Sequence, residues 1–477
     1  MDTSPPAGPC PRPARTLLTA RGPPALSSLP CRRRYHPGMG ATKLRVRALG
    51  VLSLAVLALG ACSRLTGSEA APTPAPAPLA TAAPTTSTAT VADAAPDASQ
   101  TGSVLHHVLG TGQSLASGTL GSPALSTSQP YANRMFDTGV LAGAPRITTF
   151  VPLVEQSVET MSSSFANLVT KLARDNGGSH DLLVSAYALG GAPYASMKKG
   201  TPAYAVTIAQ ANAGLAIARA SGVTYDITAV TSADGGGDHD TKNTHLADDL
   251  AQWQQDFETD LRAITGQSAL IPLFNTQYSS WTESGDATSL VPVAQLRAHV
   301  EHPGKVIVVG PRYPLIYGPD GVHLTNEGYR MMGEYYARAY RRVVVERGTW
   351  EPLRPKSVTR AGPVVTVRFL VPAPPLVLDT THASDPGNMG FEYADDGPST
   401  PTITGVALTG ADTVAITLSA EPTGANRRIR YAYTGIRGAP AGLQTGARGN
   451  LRDSDATPSR NGYALFDWCV HFDEAVP

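Results

Sequence analysis

A serine, an aspartate and a histidine in this sequence have the types and the setting that covalent acyl transfer requires. Ser114 follows a short apolar run that ends in glycines, and Asp320 stands three residues before His323. A serine hydroxyl becomes a strong nucleophile only when a base takes its proton, and histidine suits that task near neutral pH. Asp320 is close enough along the chain to orient the imidazole of His323. The three residues therefore predict a serine nucleophile with a histidine base.

Glycines and polar side chains follow two other apolar runs. Gly190 and Gly191 come after the run 181–189, and the segment GGGDHD comes after the run 225–233. Glycine lets the backbone approach a ligand closely, so N–H groups in these segments can stabilise a developing oxyanion. The second segment also carries side chains that suit a divalent ion, although their spacing matches no defined zinc or calcium pattern. We favour a pocket-shaping loop and expect no metal at these side chains: Asp234, Asp238, His239, Asp240 and His245.

Each of these features also has an ordinary structural interpretation. Ser114 taken alone is more often a helix-capping serine, and the segment from Asp320 to His323 resembles a simple turn before a helix. Trp281 follows the fourth apolar run, where it either stacks on a sugar ring or packs in the core. Because each polar segment follows a predicted strand, in an order that one sheet edge could gather, the chemical interpretation is favoured.

The elements that would position these residues alternate between apolar strands and amphipathic helices. Five strand-like runs cover 104–110, 181–189, 225–233, 268–276 and 305–310. Helical patterns cover 159–174, 201–220, 243–264, 292–301 and 325–345. Continuous apolar strands with helices between them predict a parallel sheet covered on both faces. Such sheets bind ligands at the carboxyl ends of their strands, where the polar segments stand.

The rest of the chain differs in character. After residue 350, short strand-like runs separated by turn residues predict a small, sandwich-like all-β domain over 349–477. Before residue 103, a basic segment and an apolar run of about 14 residues predict a signal peptide over 39–61. Leu59 to Cys62 resembles a bacterial lipobox, so we expect Cys62 to be lipidated; the alternative is an ordinary cleaved signal peptide. Residues 1–38 then precede the true start, and the Ala/Pro/Thr-rich segment 62–102 is a disordered tether.

Composition excludes several classes of protein. The 477 residues contain 38 Lys and Arg against 38 Asp and Glu, so a general nucleic-acid binder is not expected. Four cysteines are too few for a disulfide scaffold in a chain of this length. We expect a monomer in the bacterial cell envelope, held to a membrane only through its lipid.

Four segments in this order resemble the SGNH, or GDSL-type, hydrolases: Gln113-Ser114-Leu115, the glycines at 190–191, GGGDHD, and Asp320 with His323. The glutamine before the serine, and GGGDHD before an amphipathic helix, resemble the sialate O-acetylesterase branch of carbohydrate esterases. That branch usually has Gln-Gly-Glu-x-Asp in the third segment. The resemblance implies a hydrolase domain over 103–348, with a three-layer α/β/α fold around a five-stranded, flavodoxin-like parallel sheet.

The resemblance also implies roles for individual residues. Ser114 matches the nucleophile, His323 the general base and Asp320 its orienting partner. The oxyanion donors would be the backbone N–H groups of Ser114 and of Gly190 or Gly191. The third segment, with Gly237, lacks the Asn that supplies a side-chain donor in these enzymes, so its contact would come from backbone or from His239. The residues expected to line a pocket are Gln113, Asp238, His239, Asp240 and Trp281.

The function implied is a serine esterase that removes O-acetyl groups from the sugars of a glycan without a cofactor. The alternatives within enzymes are a general short-chain esterase or lipase and an acetyltransferase. The alternative outside enzymes is a glycan-binding envelope lipoprotein that keeps the fold without the chemistry.

Overall fold

The computed structural model describes residues 104–143 and 146–477. The leader over 1–38, the signal peptide over 39–61, the tether over 62–102 and the lipidation at Cys62 lie outside the described residues. None of the helices in the described part of the chain has the length and apolar content needed to cross a bilayer.

A mostly parallel sheet occupies the first part of the described chain. Its seven strands are β1 (Val104–Gly112), β2 (Arg134–Phe136), β3 (Phe150–Pro152), β4 (Leu182–Ala186), β5 (Thr224–Ala233), β6 (Leu273–Gln277) and β7 (Val306–Pro311). They are arranged in the order β3-β2-β4-β1-β5-β6-β7. The five predicted strands are all present and parallel, with β1 between β4 and β5.

The prediction of five strands was too low by two. β2 pairs in parallel with β4 at a single position, and β3 runs antiparallel to β2 at the edge. Each of these strands has only three residues, which is too short for an alternating or continuous apolar pattern to distinguish it from a loop. The edge of the sheet therefore depends on pairing that local sequence does not encode.

Helices cover both faces of this sheet. Their bounds are α1 (Ser162–Asp175), α2 (Pro202–Ala220), α3 (Gly236–Asp240), α4 (Leu246–Thr265), α5 (Val291–Glu301) and α6 (Asn326–Tyr340). Phe165 of α1 and Tyr336 of α6 pack with Phe274 on one face. Trp253 and Phe257 of α4 pack with residues of α2 and α5 on the other. The predicted three layers are therefore present.

Local sequence explains where two of the helices begin and end. The large apolar residues that predict α4 are buried from Leu246 to Leu261, and Gly266 ends the helix in the left-handed region. Thr325 caps α6 by accepting a hydrogen bond from the N–H of Gly328 at 3.1 Å. The helix predicted over 325–345 is α-helical only to Tyr340, and residues 341–345 form a wider π turn.

The last part of the chain forms three antiparallel sheets in the described residues. The orders are β12-β13-β9-β8, β11-β14-β16 and β10-β15. The strands are β8 (Arg354–Ala361), β9 (Val364–Leu370), β10 (Val377–Leu378), β11 (Phe391–Ala394), β12 (Ile403–Gly410), β13 (Thr413–Leu418), β14 (Arg428–Tyr431), β15 (Leu451–Arg452) and β16 (Phe472–Ala475). No α-helix lies among them, in agreement with the all-β character expected after residue 350.

The two parts of the described chain share a core. Leu296 of α5, Val308 of β7 and Tyr313 pack in the same apolar cluster as the C-terminal strands. Buried Arg338 of α6 pairs with Asp455 at 2.5 Å and with Asp467 at 2.6 Å. The domain boundary expected at residue 348 stays a prediction. Residues far beyond it, such as Asp455 and Asp467, contact α6 of the first part.

Candidate active site

The structure brings Ser114, His323 and Asp320 into one line of hydrogen bonds. The hydroxyl of Ser114 lies 2.7 Å from Nε2 of His323. Nδ1 of the same ring lies 2.6 Å from a carboxylate oxygen of Asp320. With its proton on Nδ1, the imidazole donates to Asp320 and accepts from Ser114. A base oriented by a carboxylate and in contact with a hydroxyl is the arrangement that activates a serine nucleophile.

The carboxylate of Asp320 is held by the loop that carries His323. Its second oxygen accepts the N–H groups of Val322 at 3.1 Å and of His323 at 2.9 Å. Partial burial by itself would raise the pKa of Asp320, but the hydrogen bonds from the His323 ring and from these two N–H groups outweigh it. The pKa therefore lies below its ordinary value. Asp320 is ionised near neutral pH and so stabilises a positive charge on His323.

The end of β1 positions the candidate nucleophile. Gly112 has a φ of +131°, and a Cβ there would lie 2.7 Å from the carbonyl oxygen of Ala233 on β5. The chain then turns, and the N–H groups of Ser117 and Thr119 both donate to the carbonyl of Ser114 at 3.2 Å. A series of turns follows the serine, and the next regular helix is α1, so Ser114 does not cap a helix.

Sequence reasoning missed two residues that hold this turn. Glu159 is buried, and one of its carboxylate oxygens accepts the N–H groups of Leu125 and Ser126 at 2.7 and 2.8 Å. The hydroxyl of Tyr329 on α6 donates to the carbonyl of Thr119 at 2.7 Å. Both residues stand in helical sequence patterns, where nothing in their spacing marks a role at a distant loop.

The loop with the two glycines lies beside the serine turn. The N–H of Leu189 donates to the carbonyl of Gly112 at 2.9 Å, two residues before Ser114. Gly190 and Gly191 are exposed, and a Cβ built on either would meet no atom within 4 Å. The side-chain amide of Gln113 donates to the carbonyl of Ala192 at 2.6 Å and so fixes this loop. The loop therefore borders open space near the nucleophile.

Gly237 has a packing role in the structure. A Cβ on this residue would lie 2.5 Å from the backbone nitrogen of Pro193 and 2.6 Å from the carbonyl carbon of Ala192. Only glycine lets α3 approach the loop of Gly190 and Gly191 this closely. Its service as an oxyanion donor stays a prediction.

The side chains expected to line a pocket make internal contacts instead. Asp238 is buried and accepts the N–H of Tyr194 at 3.1 Å and the amide of Asn243 at 2.9 Å. His239 is also buried, with its ring nitrogens 3.0 Å from the hydroxyl of Ser289 and 3.0 Å from the carboxylate of Asp286. Of this segment only Asp240 is exposed. Asp238 and His239 therefore hold neighbouring loops together through these contacts.

Trp281 is packed in the core, which is the second of the two alternatives that the sequence left open, so it does not line a pocket. The residue is 0% exposed. Its indole N–H donates to the carbonyl of Ala287 at 3.1 Å, and the ring meets His471 edge-on at 4.9 Å. The residue that covers it comes from the C-terminal part, about which the sequence around Trp281 carries no information.

Asp234, the residue directly after β5, is a buried carboxyl without a hydrogen-bond partner on either oxygen. Burial and the nearby charge of Asp238 raise its pKa to about 6, against the opposing charge of Arg312. Arg312 donates to backbone carbonyls, including those of Thr276 at 3.1 Å and Gln277 at 3.2 Å. This carboxyl is therefore buried without hydrogen bonds to either oxygen.

The sequence left a metal site at the segment from Asp234 to His245 as an alternative. The described residues of this segment form no common set of ligands. The side chains from Asp234 to His245 do not gather within reach of one ion there. A cluster of carboxylates does occur in the C-terminal part, at Asp453, Asp455 and Asp467. The guanidinium of Arg338 already pairs with the last two.

Comparison with known proteins gives structural likenesses only. No protein-family profile and no curated protein sequence matches the chain. A carbohydrate acetylesterase from Xanthomonas citri matches with 16% identity over 77% of this chain and 80% of its own, at a TM-score of 0.48. An Arabidopsis thaliana protein (14% identity, TM-score 0.37) and a carbohydrate acetylesterase from Sinorhizobium meliloti (12% identity, TM-score 0.25) each cover 49% of this chain and 97% of their own. Since all three scores lie below 0.5, we base the function on the site itself.

Proposed function

We propose that this protein is a serine esterase that hydrolyses acetyl esters on the sugars of a glycan. The observation that carries the proposal is the continuous line of hydrogen bonds from Ser114 through His323 to Asp320, at 2.7 and 2.6 Å. Its three members come from loops after β1 and after β7, more than 200 residues apart in sequence. A line of this kind has little value for folding at a partly exposed position and a direct use in acyl transfer.

The reaction follows from the direction of these bonds. His323 takes the proton of Ser114 through Nε2 while the serine oxygen attacks the carbonyl carbon of the ester. The resulting imidazolium is stabilised by Asp320 and gives the proton to the departing sugar oxygen, which leaves an acetyl group on Ser114. Water, deprotonated by the same ring, then attacks the acetyl carbonyl. The proton on His323 returns to the serine oxygen as that oxygen departs, and the acetic acid released ionises to acetate in solution.

Backbone N–H groups would stabilise the oxyanion of each tetrahedral intermediate. We assign this role to the N–H groups of Ser114 and of Gly190 or Gly191. The segment that contains Gly237 would supply the third donor. The open space around the first two glycines and their loop's hydrogen bond to Gly112 support this assignment. Such donors typically contribute a factor of about 100 to 1,000 each to the rate.

The finer assignment rests on the sequence resemblance to sialate O-acetylesterases. It supports acetyl as the acyl group and a sugar as the alcohol, and the exposed setting of the site suits a polymeric substrate. The lipobox-like segment at Cys62 supports a lipid-anchored location in the bacterial envelope. An anchored esterase would act on glycans at the cell surface or in the periplasm.

The test measures acetate release from acetylated sialic acid, acetylated xylan and an acetylated bacterial polysaccharide. We expect release by the wild type from at least one of them, and none above background from Ser114→Ala. Ser357→Ala, a matched change of an exposed serine on β8, should behave as the wild type. Retention of activity in Ser114→Ala would overturn the mechanism. Glycan binding without hydrolysis by the wild type would favour the non-catalytic alternative.

A further inference from the structure

Leu120 combines two features that folding alone does not explain. It is 45% exposed, and its backbone has a φ of +66°. A positive φ brings the Cβ of a leucine against its own backbone, and a half-exposed side chain recovers little of that cost through burial. Strained positions of this kind cluster at functional sites. Among the described non-glycine residues with positive φ, only Leu120 lies within ten positions of a triad residue.

The backbone before Leu120 is tied to the nucleophile. The N–H of Thr119 donates to the carbonyl of Ser114 at 3.2 Å, and the carbonyl of Thr119 accepts the hydroxyl of Tyr329 at 2.7 Å. Glu159 fixes the chain on the far side, since its N–H donates to the carbonyl of Gly121 at 2.8 Å. The leucine is thus held in place on both sides by residues of other elements.

The side chain of Leu120 reaches the loop that carries the histidine. Its Cδ1 lies 3.3 Å from the position that a Cβ on Gly318 would occupy. The N–H of Gly318 donates to the carbonyl of His323 at 2.7 Å. A second exposed apolar side chain, Ile316 at 43% exposure, stands two residues earlier, and its carbonyl accepts the N–H of Thr325. Apolar surface therefore flanks the His323 loop.

The chemistry of the reaction says which half of the substrate lies there. His323 gives its proton to the departing oxygen, so that oxygen and the ring attached to it must lie within hydrogen-bond reach of the imidazole. The acyl carbonyl points instead toward the oxyanion donors. A pyranose ring presents C–H groups on its faces, and covering them with an aliphatic side chain removes apolar surface from water.

We infer that Leu120, assisted by Ile316, is a specificity-determining residue that contacts the apolar face of the sugar whose oxygen leaves. This inference rests on the proposed function. The contact involves a part of the substrate that does not react, so it acts on binding of the sugar and leaves the acyl preference unchanged.

The test compares two variants of Leu120 on three esters. The esters are an acetylated methyl xyloside, ethyl acetate and ethyl butyrate, which vary the alcohol and the acyl group separately. Leu120→Ala shortens the side chain, and Leu120→Gly also removes the backbone strain. The matched control is Leu270→Ala, which changes a leucine of 40% exposure three residues before β6, at the opposite end of that strand from the site.

In both Leu120 variants we expect kcat/KM for the xyloside acetate to fall about tenfold, mainly through KM. The value for ethyl acetate, and the acetate-to-butyrate ratio, should change less than about twofold, and Leu270→Ala should match the wild type throughout. Leu120→Gly should also melt at a higher temperature than Leu120→Ala, because glycine accepts a positive φ.

Three results would overturn the inference alone. They are an altered acetate-to-butyrate ratio with unchanged sugar hydrolysis, an equal loss on ethyl acetate and the xyloside acetate, and wild-type behaviour of both Leu120 variants. A wild type that hydrolyses ethyl acetate through Ser114 but no sugar acetate would overturn the proposed glycan substrate together with the inference. The two failures are therefore distinguishable.

Discussion

Asp320 is 40% exposed, yet its carboxylate receives three hydrogen bonds from one short loop. Two of them come from backbone N–H groups, so the carboxylate is oriented even when the imidazole moves. The same bonds keep the pKa of Asp320 below its ordinary value. The loop that carries His323 thus fixes both the position and the charge of Asp320.

This arrangement predicts unequal costs of mutation within the candidate triad. Ser114→Ala and His323→Ala should each lower kcat by about 10⁶, and the double variant should lose little more, because the two act as one unit. Asp320→Asn should cost about 10⁴, since an amide still meets the ring but stabilises imidazolium poorly. Steady-state kinetics on an acetyl ester measures all four. Additive losses in the double variant would show that Ser114 and His323 act in separate steps.

The buried carboxyl of Asp234 predicts a pH-dependent stability. Its pKa in the folded protein is about 6, above the value of an unfolded chain, so its stabilising contribution is present at low pH and is lost as the pH rises through about 6. Asp234→Asn removes the titration. Relative to the wild type, it should gain up to about 3 kcal/mol of unfolding free energy between pH 4 and pH 8. Urea unfolding at the two pH values measures this difference.

The control for this prediction is the exposed neighbour on the same segment, Asp240→Asn. It should show no comparable change between the two pH values. If Asp234→Asn and the wild type differ equally at pH 4 and pH 8, the buried group does not titrate in this range.

At the scale of the elements, the sequence predicted the helices and strands whose pattern is long enough to repeat. The large apolar residues of α4 recur at helical spacing from Leu246 to Leu261, and each of these is buried. β2 and β3 escaped notice because three residues cannot show a period. α3 escaped because its sequence, GGDHD, is poor in helix formers.

The contact between α3 and the glycine loop predicts a coupling between packing and activity. Gly237→Ala places a methyl group 2.5 to 2.6 Å from the backbone of Ala192 and Pro193, so the loop with Gly190 and Gly191 must move. We expect a loss of about 1–3 kcal/mol in unfolding free energy and a fall of at least about tenfold in kcat. Kinetics and urea unfolding on the same preparation measure both.

Gly310→Ala on β7 provides the matched control, since a Cβ there meets no atom within 4 Å and its φ is not positive. It should change neither quantity appreciably. Full activity in a Gly237→Ala protein of reduced stability would separate this loop from the chemistry.

At the scale of the whole molecule, the sequence predicted the proximity of Ser114, Asp320 and His323 better than the exposure of the side chains around them. The three residues could be brought together on paper because each follows a predicted strand, and parallel strands bring their ends to one edge. The sequence left two alternatives open for Trp281, because its burial depends on His471, about 190 residues later. Contacts between the two parts of the chain leave no local pattern, so exposure was the property least accessible from sequence.

The buried pairing of Arg338 predicts how strongly the C-terminal part is held. Arg338→Ala leaves Asp455 and Asp467 without their cation, beside Asp453, whose pKa burial and the charge of Asp467 raise to about 8. We expect a loss of about 3–5 kcal/mol in unfolding free energy at pH 8. The loss should be smaller at pH 5, because burial raises the pKa values of Asp453 and Asp467, so these two carboxyls take up protons more readily there. Arg342→Ala, a change of an exposed arginine one turn further along, should cost less than about 1 kcal/mol.

The account as a whole depends on an acetyl group passing through Ser114. The most direct measurement is mass spectrometry of the wild type, quenched in acid during turnover of an acetyl ester and then digested. We predict an acetyl group on the peptide that contains Ser114, and none on the corresponding peptide of Ser114→Ala. An unmodified Ser114 peptide, together with acetate release by Ser114→Ala at the wild-type rate, would contradict the account.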